Sequence, residues 1–219
     1  MKGTFITFEG GEGSGKSTQA RLLVEHLKGQ GYDTEATREP GGTPIGDAIR
    51  AILLDPRLSE MGHVTELLLL AASRAQNVFQ RIRPAIERGA IVVCDRFTDS
   101  TLAYQGYGRK FDIALLDSLN RIATGGVWPD LTVLLDIDPE IGLRRARELE
   151  KAEAAAGEGD RFEREAFEFH HRLREGFLTQ ARKYPSRFRI IPVKDTIEET
   201  RRDVIAAVDQ YLAGRPREN

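Results

Sequence analysis

Eight residues near the start of the chain, Gly10-Gly-Glu-Gly-Ser-Gly-Lys-Ser17, follow the pattern G-x-x-x-x-G-K-[ST]. The flanks constrain the fold further: TFITFE before them reads as a strand, and TQARLLVEHLK after them reads as a helix. Glycines in such a turn let backbone N–H groups converge on phosphate oxygens, and the following helix adds the positive end of its dipole. Gly10, Gly11, Glu12, Gly13, Ser14, Gly15, Lys16, Ser17 and Thr18 are therefore the candidate ATP-binding residues. Lys16 is expected to reach the β and γ phosphates and the Ser17 hydroxyl to ligate Mg²⁺. The ion also wants a carboxylate at a strand end, and two follow apolar runs, Asp95 after AIVVC and Asp136 after TVLL. Arg96 directly follows Asp95, which favours Asp95; Asp136 is the alternative, or else caps or orients the helix beginning near Glu140.

Five short apolar runs alternate with helix-compatible segments: Thr4–Phe8, Asp33–Thr37, Ala90–Cys94, Leu131–Ile137 and Phe188–Val193. Runs as apolar as IVVC and LTVLLDI suit strands covered on both faces. The expectation is one α/β domain over residues 1–219, a five-stranded parallel sheet flanked by helices, with ligands beyond the C-terminal strand ends. Between Glu140 and His171 a charged helix breaks at Gly157-Glu-Gly159, and Phe162, Ala166, Phe169, Leu173 and Phe177 then recur as a buried stripe. That excursion, with an insertion at about 148–164, is either a solvated hairpin or a lid. Thr196-Ile-Glu-Glu199 is a capping box that opens a last helix packed through Ile197, Val204, Ile205, Val208 and Leu212.

The net charge of −2 argues against a surface built to grip nucleic acid or an anionic membrane. No apolar run reaches membrane-spanning length, and one cysteine suits a reducing compartment, so a cytoplasmic protein is expected. Cys94, at the end of an apolar run, and Trp128 read as packing, and His170 and His171 as surface and stripe edge. Arginine outnumbers lysine 25 to 7, from codon bias or for phosphate recognition. Arg38, Arg74, Arg96 and Arg161 fall at or near ligand-facing ends, and a kinase with a phosphorylated acceptor must hold two phosphate sites. The alternatives are a slow ATPase switch, or a kinase acting on dUMP or CMP.

TREPGGTPIG (Thr37 to Gly46), Asp95-Arg96-Phe97 with STLAYQG (Ser100 to Gly106), and LDIDPEIGLRRA (Leu135 to Ala146), together with FEGGEGSGKST, resemble bacterial thymidylate kinases over essentially the whole chain. The resemblance implies the fold of P-loop nucleoside monophosphate kinases, a helical lid, and transfer of the γ-phosphoryl of ATP to dTMP. Carried over, Arg38 and Arg96 hold the dTMP phosphate, Arg74 bonds the thymine carbonyl, and Thr101 and Gln105 belong to the base-reading stretch. Tyr104 lies against the sugar, and Glu12, otherwise out of place among phosphate-binding amides, meets the 3′-hydroxyl. Catalytic roles fall to Lys16, Arg96 and the lid residue Arg161, with Arg147 and Arg164 as rivals. Two departures stand out. Leu70 replaces an aromatic that stacks on thymine in many members, and Gly13 stands where others carry an arginine. A homodimer packed through helices is a further implication, and the Leu67–Leu70 run serves either that or the core.

Overall fold

Strand β1 (Thr4–Gly10) is buried along its whole length, as a central strand covered on both faces requires. The computed structural model describes residues 3–153 and 165–214. β1 lies at the centre of a five-stranded, all-parallel sheet with β2 (Thr34–Arg38), β3 (Ile91–Asp95), β4 (Leu131–Asp136) and β5 (Phe188–Pro192), in the order β2-β3-β1-β4-β5. Each expected run is a strand to within two residues at either end. Phe8 and Arg38 both pair in register with Asp95, and Gly10 pairs with Leu135. From β1 the chain goes out to β2 on one side, and from β3 it crosses over β1 to β4 on the other, and this reversal opens a crevice beyond the strand ends.

The helices in chain order are α1 (Lys16–Gly29), α2 (Pro44–Leu54), α3 (His63–Asn77), α4 (Arg83–Glu87), α5 (Thr98–Thr101), α6 (Ile113–Thr124), α7 (Pro139–Glu153), α8 (Phe167–Lys183) and α9 (Ile197–Ala213). α1 and α9 cover one face, where Leu23, Leu27, Val204 and Val208 meet Ile6, Phe8, Val93, Val133 and Leu135. The strand alternation sends Phe5, Val92 and Cys94 to the opposite face with Val78, Ile82 and Phe97. There Leu134 packs on Phe169, Leu173 and Phe177 of α8.

The capping box forms as expected, with Glu199 N–H donating to Thr196 Oγ1 and Thr196 N–H to Glu199 Oε2, both at 3.2 Å. Four packing expectations need correction. Ile197 in the first turn of α9 is exposed, because only one face of the helix reaches the sheet, through Val204 and Val208. Trp128 is also exposed; Val127 beside it takes the core position, while Asp130 turns in to accept the Phe5 N–H at 2.7 Å. His170 is buried rather than at the surface. α8 packs on the sheet and on the π-helical segment Leu102–Gly108 at once, so its buried face is wider than one stripe. Ala166 is the exposed residue preceding α8, not part of the stripe. Phe162, Gly157-Glu-Gly159 and most of the expected insertion lie outside the described residues.

Candidate active site

The turn from β1 into α1 has three glycines with positive φ, Gly10 at 144°, Gly13 at 64° and Gly15 at 84°. Lys16, at the start of α1, is nearly buried, and its Nζ donates to Gly11 O at 2.7 Å and Ser14 Oγ at 3.2 Å. Burial, aided by the Arg96 charge, lowers its pKa to about 8. One residue on, Ser17 Oγ donates to Asp95 Oδ2 at 2.5 Å, and the buried Asp95 Oδ1 has no hydrogen-bond partner among the described residues. A hydroxyl beside a carboxylate with one spare oxygen is a donor set that fits Mg²⁺, which takes one or two protein oxygens and fills the rest with water and phosphate.

Asp136 does not compete for this place. Its two oxygens accept from Arg174 Nε and Nη2 of α8 at 2.7 and 2.9 Å, and it lies off the main cavity. Nor does it cap α7, whose first turn is capped by Asp138 accepting the Glu140 N–H at 2.9 Å.

Beyond Asp95 the backbone of Arg96 turns to φ 68°. Its Nη2 meets both oxygens of Glu12 at 3.2 and 3.1 Å, its Nη1 approaches Gly10 O and Ser100 Oγ, and its guanidinium stacks 5.0 Å over the Tyr104 ring. Tyr104 Oη also donates to Glu12. Burial alone would raise the Glu12 carboxyl, but the Arg96 and Lys16 charges and the Tyr104 hydroxyl outweigh it and hold the pKa at about 2. Glu12 is thus a charged acceptor between two cations.

Arg38, at the end of β2, is exposed to the cavity and, among the described residues, pairs with Asp47 at 3.3 Å. Arg74 on α3 is buried and pinned. Nε donates to Glu39 at 2.7 Å, Nη1 to Thr101 Oγ1 and Asn120 Oδ1 at 2.8 and 2.7 Å, and Nη2 to the Phe97 carbonyl at 3.0 Å. Of its five N–H groups these use four, leaving one without a partner among the described residues. Leu70, one turn earlier on α3, is half-buried and lines the same cavity. Gln105 Nε2 donates to the buried Glu66 at 3.0 Å, and Arg109 approaches the same carboxylate. Glu39, Asn120 and Glu66 were missed in the sequence. Glu39 had a visible signal, since it directly follows Arg38; Asn120 and Glu66 had none, because only the packing of α3 on α6 and on the 102–108 segment brings them in.

The elements enclose one cavity of about 1040 Å³, lined by Glu12, Gly13, Gly15, Lys16, Ser17, Thr18, Arg38, Leu70, Arg74, Asp95, Arg96, Thr101, Tyr104 and Gln105. Gly10 and Gly11 face a smaller pocket behind the loop. Arg161 and Arg164 lie outside the described residues, and Arg147 is exposed on α7. A cavity of this size exceeds what one small ligand needs. It pairs a phosphate loop with a second, separate group of arginines.

A parallel sheet of this order, with the phosphate-loop sequence after β1 and a second group of arginines across the cavity, is the frame of a P-loop nucleotide kinase. The family model for thymidylate kinase matches residues 8–204. The thymidylate kinase of Citrifermentans bemidjiense is 50% identical over 211 residues, 96% of this chain and 93% of that protein. That of Geotalea uraniireducens is 51% identical, over 96% of this chain and 99% of its own. The crystal structure of thymidylate kinase from Ehrlichia chaffeensis superposes with a TM-score of 0.76 at 34% identity, covering 95% of this chain and all of that one. The chain belongs to the thymidylate kinase family, ATP-using phosphotransferases with dTMP kinase activity.

Proposed function

We propose that this chain moves the γ-phosphoryl of ATP to dTMP with Lys16, Arg96 and the lid residue Arg161 as the catalytic cations. The observation that carries the reading is the Arg96–Glu12 pair, set beside Lys16 at the meeting of the loop and the β3 end. A dTMP phosphate would take the Arg96 guanidinium, with Arg38 as its second, exposed holder. Glu12, released from that pair and kept ionised, would accept from the sugar 3′-hydroxyl, with Tyr104 beside it against the sugar. Arg74 would give its remaining N–H to a thymine carbonyl, Leu70 would cover the ring by contact alone, and Thr101 and Gln105 would border the base.

No side chain is needed as a base, because a phosphate monoester has already lost its second proton near pH 7, its pKa being about 6. An acceptor phosphate oxygen forms the new bond to the γ phosphorus while the bond to the β–γ bridging oxygen breaks, and ADP leaves. Lys16 would neutralise charge on the transferring group from the donor side, Arg96 from the acceptor side and Arg161 from the lid. Ser17 and Asp95 would hold Mg²⁺, which when bound neutralises charge on the β and γ phosphates.

We read the protein as a cytoplasmic homodimer. Ile45 and Ile52 on α2, Val64 and Leu68 on α3, and Leu115 and Ile122 on α6 are exposed, each pair spaced to share one face of its helix. The three helices are neighbours, with α3 packed on both others, so the apolar pairs belong to adjoining surfaces. No helix among the described residues is long and apolar enough to cross a membrane. An ADP-release assay with dTMP, dUMP, CMP, AMP, GMP and thymidine tests the acceptor: dTMP should give the highest kcat/KM. A preference for CMP or dUMP, or ATPase activity indifferent to every acceptor, would sink the reading.

A further inference from the structure

Arg96 occupies a backbone region that non-glycine residues rarely adopt, with φ 68°. Its own N–H is held by Phe8 O of β1 at 2.9 Å. The residues that follow are held by a different group. Glu9 Oε1 accepts the N–H of Phe97 at 2.8 Å and that of Ser100 at 3.3 Å, and Glu9 Oε2 lies 2.6 Å from Ser100 Oγ. α5 has no cap from its own flanking residues, so a carboxyl from the neighbouring strand does that work. Ser100 Oγ in turn stands 3.4 Å from Arg96 Nη1. Glu9 is fully buried and does not line the cavity, so it has no direct route to a substrate.

We propose that Glu9 and Ser100 are positioning residues for Arg96: Glu9 fixes the turn that carries it, and Ser100 holds its Nη1 side so that Nη2 faces the acceptor phosphate. The inference rests on the reading that Arg96 holds that phosphate. It extends the acceptor site one layer behind the cavity wall and ties its aim to β1, the strand that also launches the phosphate loop. Donor and acceptor phosphates are thus aligned from one rigid element, where an error of an ångström costs rate.

Calorimetric titration with dTMP and with thymidine, which lacks the phosphate, tests this. Arg96→Ala is the reference and should weaken dTMP by about 100-fold while sparing thymidine. Ser100→Ala and Glu9→Ala should weaken dTMP by about tenfold, leave thymidine within about twofold, leave the KM for ATP unchanged, and add nothing further in an Arg96→Ala background. Glu9→Gln keeps a carbonyl oxygen for both N–H groups and a polar atom toward Ser100, and should keep most dTMP affinity even if Glu9→Ala does not fold. Equal losses for dTMP and thymidine in Ser100→Ala, or no loss of either, would overturn the proposal. If Arg96→Ala fails to separate the two ligands, the phosphate-holding reading itself is wrong.

Discussion

A Cβ added to Gly13 would lie 1.9 Å from the Gly142 carbonyl oxygen at the start of α7, and φ 64° disfavours any side chain there. An arginine after the acidic loop residue therefore cannot be accommodated unless α7 moves. Gly13→Ala should lower stability by roughly 2 kcal/mol or more, from left-handed strain plus the clash, and reduce kcat/KM for ATP. Thermal unfolding and steady-state kinetics check both. Glu9 adds a pH signature of its own. Burial, with the nearby Asp99 charge, pushes its pKa from 4.5 to about 8, so between these values the folded state keeps a proton that the unfolded state has lost. Its contribution to stability is full below about 4.5 and lost as pH rises through about 8. Glu9→Gln does not titrate, so its melting temperature relative to the parent protein should climb from pH 5 to pH 8; a constant or falling difference would count against the buried neutral acid.

Among the elements, α7 and α8 flank in sequence the segment that carries Arg161. α7 starts against the phosphate loop through the Gly13–Gly142 approach, and α8 is anchored to the sheet by Phe169, Leu173 and Phe177 and to Asp136 by Arg174. The residue proposed as the lid cation, Arg161, falls in sequence between these two helices. On that footing Arg161→Ala should lower kcat by at least about 10²-fold with little change in the KM for dTMP, since a cation that acts on the transferring group contributes mainly in the transition state. If neither parameter moves, Arg147 or Arg164 becomes the candidate, and single substitutions there should show the loss instead.

At the scale of the whole molecule, the apolar pairs on α2, α3 and α6 predict association. Leu68→Glu combined with Ile122→Glu should shift sedimentation from dimer to monomer without unfolding the chain, because both side chains are largely exposed, at 55% and 79%. A parent protein that sediments as a monomer would remove the dimer.

The strands, the phosphate loop, the capping box and the lysine–serine pair were legible in the residues because each depends on local pattern: apolar runs, glycine spacing, a hydroxyl three positions before a glutamate. Asp95 could be preferred over Asp136 but not separated from it, since both end buried strands. Their surroundings differ in the partner each meets, Ser17 for one and Arg174 for the other, and partners distant in sequence are chosen by packing. The same holds for Arg74, whose position was marked by motif but whose bonds to Glu39, to Phe97 and Thr101, and to Asn120 come from three separate segments. The burial of His170 likewise needed α8 to pack on two elements at once. Local chemistry along the chain determined that it would bind nucleotide phosphate on an α/β frame. Only the tertiary structure decided which charges would neutralise one another, and so which of the arginines remain able to meet a substrate.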